Sequence, residues 1–245
     1  MLNQTDALPV SVQKGLNDFV GAVKQAFGNT LVSIVLYGSA AEGRLRPSSD
    51  VNVMLVLKTF DIAQINPLRE KLSLYHAAFR LNVMFLLESE ITIASEAFAV
   101  KFTDILSRHR ILLGTDPFDD IKVSRSATLQ RLRQVVINLT LRLRERYALV
   151  SLHSEKLVPI IADMAGPIRT CAATILSLEG KNDLHPKEAL QLLTKQFPQH
   201  DWQKTFNNIS KAREEQELNV SEEISTIQEL LSLLQAMQNH ILNMK

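Results

Sequence analysis

The chain has 245 residues, of which 46% are hydrophobic and 22% charged, with a formal net charge of +1. Such a balance lets a core be buried in one large domain or two ordinary ones, and it excludes global steering toward nucleic acid or an anionic membrane. Cys171 is the sole cysteine, which rules out an intrachain disulfide and agrees with a reducing cytoplasm.

Met1 to Val10 lacks the basic segment and apolar run of a signal peptide. The longest apolar candidate, around Val83 to Leu87, falls far short of the roughly 20 residues that span a bilayer. A cytoplasmic protein with no membrane partner is the expectation.

In chain order, Val12, Leu16, Phe19, Val20, Val23 and Phe27 recur at helical spacing, and Gly28-Asn29 supplies the stop. Leu31 to Tyr37 is a short apolar, β-branched run that ends at a glycine, which predicts a buried strand. Gly38 to Arg46 reads as a turn and short helix. A second strand is expected from Asp50 to Leu57, a helix from about Asp61 to Phe79, and a third strand from Arg80 to Leu87. This is a small mixed α/β region.

The character changes at the turn-forming cluster Gly114-Thr115-Asp116-Pro117. Beyond it the spacing predicts helices over Ser124–His153, Leu157–Leu178, Pro186–Gln196, Trp202–Glu217 and Ser221–Met244, an all-α bundle. The fold class expected is therefore α+β, with a small mixed-sheet domain over residues 1–118 and a helical bundle over 119–245.

The informative stretch runs from Leu36 to Val56. Gly38-Ser39 stands where a buried strand gives way to a helix. Glycine permits close backbone approach to a ligand, and a helix start offers N–H groups and positive dipole to phosphate oxygens. The Ser39 hydroxyl adds a donor. Gly43 allows the next reversal, and Arg44 and Arg46 are of a length and charge to reach a triphosphate.

Asp50 and Asn52 are two apart on a predicted strand, so both side chains leave one face. Paired carboxylates at such positions hold magnesium in two-metal phosphoryl transfer. Here the second is an amide.

The pattern Gly-Ser, then Gly43, then Ser49-Asp50-x-Asn52 at the head of a strand resembles the DNA-polymerase-β nucleotidyltransferase superfamily, in particular its small bacterial minimal and aminoglycoside-type members. Phe85 to Ile91, Arg110 to Phe118 and the Arg/Leu-rich helix that follows are similar to a bacterial group of nucleotidyltransferase-like proteins. The resemblance implies transfer of a nucleoside monophosphate from a triphosphate to an acceptor hydroxyl. It implies Gly38, Ser39, Arg44, Arg46 and Ser49 as nucleotide ligands and Asp50 as the catalytic and metal-holding acid, with Mg2+ as cofactor and a homodimer as assembly.

The second carboxylate position is taken by Asn52. The third is expected on Arg80–Leu87, where Asn82 is the matching residue and Glu88 the fallback. Removing one unit charge beside Mg2+ forfeits on the order of 8 kcal/mol at about 4 Å and an effective dielectric near 20, an upper bound that the cheaper desolvation of an amide reduces. An amide oxygen still ligates a hard cation, so the Mg2+ expected here is weakly held. The transferase reading is thus of weak or lost activity, and the alternative is a non-catalytic nucleotide-binding or protein-interaction module.

Six arginines between Arg125 and Arg146 make one helix basic. Near-neutral net charge favours a solvated face paired with the acids from Glu214 to Glu223 over a nucleic-acid surface. Arg146 and His153 resemble the Arg–His pair of helical ribonuclease domains, a third reading. The remaining histidines show no metal-ligand spacing, and Cys171 reads as a small buried residue.

Overall fold

A computed structural model of the chain describes residues 8–45, 49–150, 153, 156–182, 184–198 and 200–244. They form two compact units divided between Val123 and Ser124. The divide falls beyond the expected end at Phe118 because Phe118 is itself buried in the first unit, with Ile121 and Val123 packed beside it.

The first unit opens with α1 (Val10–Phe27), followed by β1 (Leu31–Tyr37) and β2 (Val51–Leu57). Next come α2 (Ile62–Ile65), α3 (Arg69–Phe79) and β3 (Leu81–Leu87), then α4 (Ile91–Ala97), α5 (Ala99–Ser107) and β4 (His109–Gly114). The single helix expected over Asp61–Phe79 is broken by a one-turn 3-10 segment at Asn66–Leu68, where Pro67 contributes no N–H. β3 starts at Leu81 rather than Arg80 because Arg80 ends α3 in the left-handed region (φ 56, ψ 42). The segment from Ile91 to Gly114, which the periodicity left unassigned, holds two helices and the fourth strand.

The sheet order is β3-β2-β1-β4. β1 runs antiparallel to both β2 and β4, and β2 runs parallel to β3, with Asn52 opposite Asn82. Parallel neighbours need a crossover, which α2 and α3 supply.

Both faces of the sheet are covered. Ile34, Leu36, Val53 and Leu55 pack with Phe19, Val23 and Phe27 of α1 and with Leu68. On the other face Val35, Met54, Val56 and Leu86 meet Ile91, Phe102, Ile105 and Phe118. A side chain such as Phe19 or Phe102, at 0% and 1% exposure, gains about 1.5–3 kcal/mol from full burial. The strand interiors are therefore near-continuous apolar runs, with Ser33 of β1 as a buried exception whose hydroxyl donates to the Leu113 carbonyl at 3.1 Å.

The second unit is α6 (Arg125–Val150), α7 (Leu157–Leu178), α8 (Pro186–Thr194), α9 (Trp202–Glu214) and α10 (Val220–Leu242). α7 continues through Pro167 because a wide face from Leu157 to Leu176 is buried. Asn208 donates to Thr226 at 2.9 Å, a buried bond between α9 and α10. At the head of α10 the Asn219 N–H donates to the Glu222 carboxylate in a capping box.

Three of the α6 arginines reach other parts of the second unit. Arg125 donates to the Leu178 carbonyl, and Arg133 and Arg146 reach the Met244 carbonyl and Asp163. Among the described residues no helix is long and apolar enough to cross a membrane. The fold is that of an α+β protein: a small mixed four-stranded sheet followed by a helical bundle.

Candidate nucleotide site

Strand alternation decides where the site lies. Asn52 shares a face of β2 with Met54 and Val56, the face that packs against Phe102 and Ile105. The apolar cover ends before the first residues of β2 and β3. There the register sets Tyr37 beside Asn52 and Asn52 beside Asn82, so the three occupy one row. His109 extends that row on the other side of Tyr37. Both asparagines are half-buried.

At the end of β1 the chain turns sharply. Gly38 has φ 76 and begins a one-turn 3-10 segment through Ala40. Among the described residues, a Cβ added at Gly38 would have only the Asn52 amide nitrogen within 4 Å, at 3.8 Å, so the corner lies against Asn52 and is open on the side they describe. The amide of Gly38 itself donates to the Arg108 carbonyl at 3.1 Å, which occupies a donor that the sequence suggested for phosphate. Gly38 contributes its left-handed backbone, and Ser39 carries the donors. Among the described residues no hydrogen bond engages the Ser39 hydroxyl; the Ser39 carbonyl accepts the Arg44 N–H at 2.9 Å.

Arg108 braces the corner. Its guanidinium donates to Glu42 at 3.1 Å, and its Nε and Nη2 donate to the two oxygens of Asp104, each at 2.9 Å. The turn after Ser39 is thereby joined to α5. Tyr37, next to the corner, is buried with Lys101 over its ring at 5.7 Å. Burial, reinforced by the negative charge of Asp104, pushes the Tyr37 hydroxyl up to about 12, and burial lowers the Lys101 ammonium.

Asp50 stands one turn of the pleat before Asn52. Its carboxylate accepts the Nε–H of Arg80 at 2.7 Å, and the Val51 N–H donates to the Arg80 carbonyl at 3.2 Å. Arg44 is exposed and Ser49 half-buried nearby in sequence, while Arg46 lies outside the described residues. Glu88 is at the other end of β3 from Asn82, about 20 Å away at 3.3 Å per residue, so it does not serve as the third acid.

These residues do not fit a two-metal site. Among the described residues no group of three or more His, Cys, Asp and Glu side chains is placed to hold a metal. The acid that is present already has a cation, and its row-mates are two neutral amides.

Sequence reasoning missed Arg80, Arg108 and Asp104. The sequence pattern places Arg80 at the start of the strand, and nothing local marks it as a helix cap that turns its side chain back to Asp50. The Arg108–Glu42 contact joins residues 66 apart in sequence, beyond any periodicity. The Ile111-Leu112-Leu113-Gly114 run did carry a strand signal for β4.

In sequence and in fold the chain is similar to nucleotidyltransferase-type proteins. No family model matches it. The chain is 26% identical over 106 residues, 42% of its length and 72% of the relative's, to a protein of Methanocaldococcus jannaschii named "Putative protein adenylyltransferase". In fold it is similar to the spectinomycin adenyltransferase AAD(9) of Enterococcus faecialis, solved with ATP and spectinomycin, at a TM-score of 0.60. That likeness covers 91% of this chain and 99% of that one at 13% identity, and it bears on fold alone. The chain is nucleotidyltransferase-like.

Proposed function

We propose that this chain is a nucleotidyltransferase-like module that binds a nucleoside triphosphate at the Gly38–Ser39 corner and has lost nucleotidyl transfer. The observation that carries this reading is the row formed by Asn52 and Asn82, adjacent in register, where two carboxylates would be needed to organise magnesium. The nucleotide half is supported by the open corner at Gly38, by the unengaged Ser39 hydroxyl and by an ATP-bound structural neighbour.

In this reading Ser39 donates to a phosphate oxygen, and Gly38 lets the backbone come close. Ser49 and Arg44 line the phosphate path, with Arg46 assigned there from sequence. Mg2+ would be held by Asp50 alone and weakly. A homodimer and a cytoplasmic location remain part of the proposal.

Isothermal titration with ATP tests the binding half. The native protein should bind, and Ser39→Ala should weaken binding about tenfold, the loss of one charge-assisted hydrogen bond. The transfer half is tested with α-labelled ATP and Mg2+. Magnesium-dependent labelling of an acceptor that disappears in Asp50→Ala would show an active transferase and overturn the loss.

A further inference from the structure

Resting on the nucleotide-binding reading, we infer that Arg80 is the built-in cation of this site and takes over the part a divalent metal plays in a carboxylate-lined one. Its geometry is suited to the task. The Nε–H is spent on Asp50 at 2.7 Å, which fixes the plane of the guanidinium. Among the described residues no other group engages the Arg80 side chain, which is 58% exposed. The two terminal nitrogens are therefore available as a fork, the arrangement that matches two phosphate oxygens.

The backbone reinforces this placement. Arg80 sits in the left-handed region at the C-terminus of α3, and its carbonyl accepts the Val51 N–H. Its Cα is thus tied to the head of β2, one residue from Asp50. From β3 to the Gly38 corner at the end of β1 is two interstrand spacings, about 10 Å, which a triphosphate and a long arginine side chain together can bridge.

Electrostatics point the same way. A cluster of carboxylates repels a polyanion until a metal neutralises it. In this row two of the positions are amides that carry no charge, and the remaining acid is paired with Arg80. What is left to face a phosphate chain is the outer edge of one guanidinium. The ligand class is a polyphosphate ester bound without divalent metal.

The test is titration of ATP and of inorganic tripolyphosphate in EDTA and in Mg2+. The native protein should bind both in EDTA, with little gain from Mg2+. Arg80→Gln should lose about tenfold or more in EDTA for both ligands, the value of one bidentate charge-assisted contact. Asp50→Asn keeps an acceptor for the Arg80 Nε–H and removes a negative charge, so it should tighten metal-free binding severalfold. In a metal-run site the same change removes a ligand and weakens binding, so the sign decides even if Arg80→Gln folds poorly.

Native binding that appears only with Mg2+, or native binding in EDTA that Arg80→Gln leaves unchanged, overturns the role of Arg80 while nucleotide binding stands. No binding of ATP in either buffer removes the nucleotide reading, and Arg80's role falls with it.

Discussion

Restoring the acids should restore a metal response. Asn52 and Asn82 are opposite each other on parallel neighbours, a separation of about 4.8 Å. In Asn52→Asp/Asn82→Asp two carboxylates about 5 Å apart would repel by about 3 kcal/mol at an effective dielectric near 20. Solvent at these half-buried positions lowers that to roughly 1.5–3 kcal/mol. At about 4 °C per kcal/mol for a unit of this size, the double variant should melt roughly 6–12 °C below the native protein in EDTA.

Mg2+ then binds the folded state alone and returns stability, about 2.7 kcal/mol when present at roughly a hundredfold over its dissociation constant. Differential scanning calorimetry of the full chain, in EDTA and in millimolar Mg2+, reads both quantities. The native protein should show the same melting temperature in the two buffers. A native melting temperature that rises with Mg2+ as far as the variant's, or a variant with no response to the metal, would refute the assignment of this row as the vacated carboxylate positions.

Three further outcomes follow from the packing. Gly114→Ala places a Cβ 2.1 Å from the Val32 carbonyl oxygen at a φ of +86, so equilibrium unfolding should show a loss of roughly 3 kcal/mol or more. Arg108→Ala removes the guanidinium shared by Glu42 and Asp104; urea denaturation should report about 2–3 kcal/mol less stability, and ATP titration should weaken because the Ser39 turn is no longer tied to α5. Cys171 is fully buried and its thiol is pushed up to about 12 by that burial, so iodoacetamide should label it at neutral pH only at the rate at which the bundle opens, and labelling that outruns amide exchange of α7 would contradict the burial.

Local chemistry wrote a large part of this molecule. The spacing of Leu16, Phe19, Val23 and Phe27 dictates α1, and the apolar runs Leu31–Tyr37 and Val51–Leu57 become the central strands with nearly their expected ends. The same periodicity yields α7 over Leu157–Leu178. Gly38 was legible as a corner because a positive φ is costly for any other residue, and the amide at Asn52 stood out because metal chemistry at that spacing wants an acid.

Resemblance pointed to Asn82, but the pairing itself and most other contacts across the chain were beyond the sequence. Only the β2–β3 register sets Asn82 next to Asn52 and leaves Glu88 at the other end of its strand. Only the left-handed cap on α3 turns Arg80 onto Asp50, and only β4 beside β1 lets the Arg108 carbonyl take the Gly38 amide. Hydrophobic period and turn residues act over a few positions and so fix elements. A salt bridge or a strand register joins residues tens of positions apart, and its partners are chosen when the sheet closes around its core.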